Sequence, residues 1–204
     1  MRSLKSSTLP LDPHLLDASR IARAGGQLTA SWLEIATLGA AGAAAALLTN
    51  LVRLRLGIPG SNIVLVAFPM ALGLALVPRR GAGAVMATAA LATTAALGLA
   101  GARLDGVGAQ TSLLLTGPLL DLALGHARGG WQRYGAIMLS CALSNAAAFV
   151  VRGTAKLIGL PGGGRPFDRW WPQAIATYAA AGLVAGLISA IACFHFRERT
   201  GRSR

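Results

Sequence analysis

The feature that leaves this chain fewest options is a series of long apolar runs, each holding at most one acidic residue and separated by arginine-bearing breaks. The runs fall at about 31–51, 62–77, 82–102, 109–124, 134–151 and 172–194. Arg53, Arg55, Arg79, Arg80, Arg103, Arg128, Arg133 and Arg152 mark the breaks between them. About 20 helical residues at 1.5 Å each match the ~30 Å hydrocarbon core of a bilayer. A chain in lipid must satisfy its backbone polar groups internally, which an α-helix does within one segment. The pattern therefore predicts an all-α integral membrane protein, a bundle of six transmembrane helices. The runs at 62–77 and 109–124 are the weak ones. The first is short, and the second contains Gly117-Pro118, a helix-weakening pair.

Composition agrees with the runs. Charged residues are 13% of the 204, about half the share typical of soluble domains, which is too few to solvate a globular surface. The net charge of +12 raises nucleic acid as a partner. Nucleic-acid faces, however, cluster their basic residues along one element and interleave aromatics. Here the basic residues sit in small groups between apolar runs, as in loops held back by the positive-inside effect. Nucleic-acid binding is not expected. With the N-terminus inside, Arg2, Lys5, Arg20, Arg23, Arg79, Arg80, Arg128, Arg133, Arg197, Arg199, Arg202 and Arg204 lie inside. Arg53, Arg55, Arg103, Arg152, Lys156, Arg165 and Arg169 then lie outside. Trp32, Trp131, Tyr134, Phe194 and Phe196 gather at the inner interface, and Trp170 with Trp171 at the outer one. Both termini are expected to be cytoplasmic, in a cell membrane.

Residues 1–30 read as a polar, basic N-terminal tail without the continuous apolar stretch of a signal peptide. Residues 31–196 form the membrane domain and 197–204 a basic C-terminal tail. Cys141 and Cys193 lie inside apolar runs with no Cys-x-x-Cys or Cys/His cluster, so no metal is expected. There is no phosphate-binding loop of the G-x-x-x-x-G-K-[ST] type, no nucleophile elbow, no H-E-x-x-H and no close carboxylate pair. The chain is not expected to be an enzyme or to carry a cofactor.

Polar groups at membrane depth are costly and so draw attention. Glu34 and His126 sit near span ends, where solvation explains them. Asp121 follows the Gly117-Pro118 break, where freed backbone can help form a polar pocket. Its plain alternative is an ion pair with Arg79 or Arg128. At the outer side Asn50, Ser61, Asn62, Asp105, Gln110 and Thr111 converge, with Asn145 within ~10 Å of that surface. An apolar cavity with a few placed polar groups is the usual form of a small-molecule site; helix capping explains at least half of these residues equally well. Asn62, Gln110, Thr111, Asn145 and Asp121 are the expected substrate-binding residues. Ala36, Ala40 and Ala44 repeat at i+4 on the first span and allow close helix approach, either within the bundle or to another subunit.

The layout resembles a family. Six short spans, an A-x-x-x-A first span and the stretch from IPGSNIVLVAFP through the Pro-Arg-Arg turn, the Ala/Gly span, the Asp-Gly loop and LLLTGPLLDLAL look like the substrate-capture (S) components of energy-coupling factor transporters. The resemblance covers about 30 to 195. It implies a subunit without its own ATPase, working with a membrane coupling subunit and two ABC-type ATPases. Such a subunit captures a vitamin-like micronutrient in an outward-facing pocket and topples in the membrane to release it inside. It also implies that Ala36, Ala40 and Ala44 dock on the coupling subunit. The metal-specific branch ligates its ion with an N-terminal Met-His, whereas this chain begins Met1-Arg2, which points to an organic substrate. Two alternatives remain: a non-catalytic membrane scaffold, and a lipid-modifying enzyme built on Asp121, His126 and Arg128.

Overall fold

The computed structural model describes residues 31–52, 60–102, 104, 106–127, 130–158 and 171–195. The expected terminal tails, the Gly/Pro-rich loop before Trp171, and Asp105 and Arg128 lie outside these residues. The described residues form six α-helices: α1 (Trp32–Leu51), α2 (Ile63–Leu76), α3 (Ala82–Leu99), α4 (Val107–His126), α5 (Trp131–Leu157) and α6 (Trp171–Ala190). A π-helical turn, Ile191–His195, continues α6. Each expected span is a helix, and five of them are long and apolar enough to cross a membrane. The chain has the make-up of a multi-pass membrane protein.

Two boundaries depart from the sequence reading, each for its own physical reason. The sequence reading ends the fifth span before Arg152, yet α5 runs through Arg152 to Leu157, 27 residues in all. Arginine is a good helix former and can extend its charged head along the helix to water. A charge therefore marks where lipid ends rather than where the helix ends. Conversely α3 stops at Leu99, because Gly101 adopts φ +79 and lets the Ala102 N–H return to Leu97 O at 3.0 Å.

The helices alternate in direction. Glu34 at the start of α1 meets Arg79 just after α2, and Gly81 before α3 meets Asp121 late in α4. Gly186 late in α6 lies against Met138 early in α5. The start of α1 and the end of α6 thus share one end of the bundle, called here the clasp end. α2 packs against each of the other five helices. Nine of its 14 residues are buried, including Val66, Pro69, Met70 and Leu74. At ~21 Å it is shorter than a ~30 Å hydrocarbon core.

Polarity is inverted relative to a soluble bundle. Thr116, Ser144 and Ser189 are 0% exposed, while Leu122 is 62% exposed and Leu139 57%. Lipid tails are as apolar as leucine, so helix association relies on close backbone contact and interhelical hydrogen bonds. Both are present. Gly83 and Gly117 meet backbone to backbone where α3 crosses α4. On α6, Gly182 and Gly186 form a G-x-x-x-G pair against α5, and a Cβ on Gly182 would come within 2.6 Å of Ala142 Cα. Between α4 and α5, Thr116 and Ser144 share a hydrogen bond of 2.7 Å, and Ser140 Oγ donates to Leu119 O at 3.0 Å.

The α3–α4 crossing yields a paired prediction. Gly117→Ala drives a methyl into the Gly83 carbonyl and should destabilise by about 1–3 kcal/mol, as overpacking does. Gly125→Ala, on the same helix with nothing within 4 Å of the new methyl, should be neutral or stabilise by up to about 1 kcal/mol. Thermal melting of the detergent-purified variants separates the two, at roughly 2–4 °C per kcal/mol.

Candidate functional site

The irregular point of the bundle is the start of α2. Gly60 has φ +83, a left-handed conformation that a side chain would strain. It is also packed too tightly to accept one, since a Cβ there would lie 2.7 Å from Asn145 Nδ2 and 2.9 Å from the Tyr178 ring. Asn145 Nδ2 donates to Gly60 O at 3.2 Å and to Tyr178 O at 2.7 Å, joining α5 to both α2 and α6. Asn145 is 4% exposed and sits near the middle of α5, ~21 Å from its Trp131 end and ~18 Å from its Leu157 end. The turn that opens α2 is therefore sunk about halfway along the longest helix. Irregular backbone is tolerated at such depth where protein buries it or where it lines a cavity.

The surroundings combine rings and a cation. Phe149, one turn along α5 from Asn145, stacks tilted on Tyr178 with ring centroids 5.0 Å apart. Arg152 Nη1 lies 3.5 Å from the Tyr178 hydroxyl. Its stem runs past Gly108 at the start of α4. Asn145, Phe149, Arg152 and Lys156 share one stripe of α5 by their i, i+4, i+7, i+11 spacing. Asn62, the cap residue of α2, makes no capping bond, and its Oδ1 is buried without a hydrogen-bond partner.

Of the five expected substrate-binding residues, Asn145 and Asn62 therefore belong to one locus around Gly60. Gln110, half-buried, and Thr111 are on the first turns of α4 at the same end of the bundle. The Thr111 hydroxyl donates to Val107 O at 2.9 Å, a bond within its own helix. Asn50 likewise donates to Ala46 O at 2.8 Å. Asp121 is elsewhere. It lies at the clasp end, where its Oδ2 accepts the Gly81 N–H at 2.6 Å. Gly81 precedes α3, so a carboxylate from α4 caps the positive end of a neighbouring helix. Arg80 adds a favourable charge beside it. Of the two arginines considered for Asp121, Arg79 pairs with Glu34, whose Oε2 is 2.8 Å from its Nη1, and Arg128 lies outside the described residues.

The same geometry bears on the enzyme alternative. Five helical residues turn His126 about 140° away from Asp121. The exposed His126 ring instead makes a 2.7 Å hydrogen bond with Leu122 O. These two side chains do not share a face. On α1, Ala36 and Ala40 are exposed and Ala44 half-buried, while Leu38, Gly42, Ala45, Ala46 and Thr49 face the bundle. The A-x-x-x-A stripe is thus an outer face of the bundle, and internal packing of α1 uses the opposite side.

Sequence reasoning missed Gly60, Tyr178, Phe149 and Arg152 as members of the locus. The IPGSN stretch was the available signal for Gly60. Nothing in the pattern of α6 singles out Tyr178, because its backbone carbonyl makes the decisive contact. The chain matches no protein-family model, no curated protein and no solved structure.

The cap makes a testable difference between two neutralising substitutions. Asp121→Ala removes the acceptor for Gly81 and should cost about 1 kcal/mol. Asp121→Asn retains a carboxamide oxygen that can accept the same N–H and should cost less than half of that. Thermal melting of both proteins is the measurement.

Proposed function

We propose that this protein is the substrate-capture subunit of an energy-coupling factor type uptake transporter. In this reading it lies in a cell membrane with both termini cytoplasmic and takes up a vitamin-like organic micronutrient. The observation that carries the reading is the sunken start of α2. A helix that begins below the Arg152 end of the longest helix, beside Asn145, Asn62 and the Tyr178–Phe149 pair, sets polar groups and rings where a molecule entering from the end opposite the clasp would meet them. Broken backbone at such depth is the usual setting for substrate in membrane transporters. The capture end carries Arg152 and Lys156, and the clasp end carries the Arg79–Arg80 turn.

The second support is α1. Its Ala36, Ala40 and Ala44 stripe faces outward and is narrow enough for another helix to approach closely. In the transporter reading this face receives the membrane coupling subunit, which links capture to two ABC-type ATPases in trans. A scaffold would use the same α1 face but would have no need of a helix that starts short of the bundle end.

Purification from native membrane distinguishes the two. The transporter reading expects a membrane coupling subunit and ATPases to co-purify, with a small molecule released on denaturation. Ala40→Leu should abolish co-purification while leaving the melting temperature of the isolated protein within about 1 °C, since Ala40 touches the exterior. Recovery of the wild-type protein alone and empty would sink the proposal.

A further inference from the structure

We draw no further inference here: the strongest candidate, the exposed stripe of small side chains that Ala84, Thr88, Ala92 and Ala96 form along α3, carries nothing, because nothing in the structure shows what covers it.

Discussion

A backbone carbonyl at a turn inside a lipid-embedded bundle must find its donors within the protein, and Gly60 finds them in Asn145 and in the Ile63 N–H. Much of the architecture depends on that contact. It pins the turn that opens α2 to α5 about halfway along that helix. It ties α2 to α6, because the second amide hydrogen reaches Tyr178 O. A short α2 in the middle can then touch every other helix and supply much of the core through Val66, Met70 and Leu74. A full-length α2 would carry helix where the Gly60 turn now sits.

The clasp end works by a different device. Glu34 and Asp121 are both directed at the tight turn between α2 and α3. One takes the guanidinium of Arg79 and the other caps the helix that follows Gly81. Each carboxylate has a partner near the end of a helix. The same turn precedes Gly83, whose contact with Gly117 fixes how α3 crosses α4. Glu34 and Asp121 are thus spoken for by the fold, and the buried polar atoms without partners among the described residues are Asn62 Oδ1 at the other end and Ser189 Oγ late in α6.

The six helices were legible in the sequence, because lipid demands long apolar segments and their length is set by the bilayer. The ends were less so. Arg152 reads as a stop, but its long side chain lets α5 continue to Leu157, and Gly101 ends α3 before the apolar run is over. The site was legible in part. Asn62 and Asn145 stand out as strong polar groups in apolar surroundings, and both belong to the locus around Gly60. Asp121 stands out for the same reason yet serves the clasp. A polar residue inside an apolar run announces that it has a partner; it does not announce whether that partner is a backbone N–H forty positions away or a ligand.

What the sequence by itself determined is the class of protein: a helical, multi-pass membrane chain, since the count of charges and the length of the apolar runs admit little else. Tertiary structure alone decided that α2 is sunken, that Tyr178 joins α2 through its carbonyl, and that Ala36 and Ala40 face outward while Gly42 and Ala45 face in. The physical reason is that apolar helices in lipid have no hydrophobic stripe to orient them. Every face of α1 is apolar, so its rotation is set by which small residues allow backbones to meet. That choice depends on the shape of the neighbouring helix, which no periodicity along one helix records.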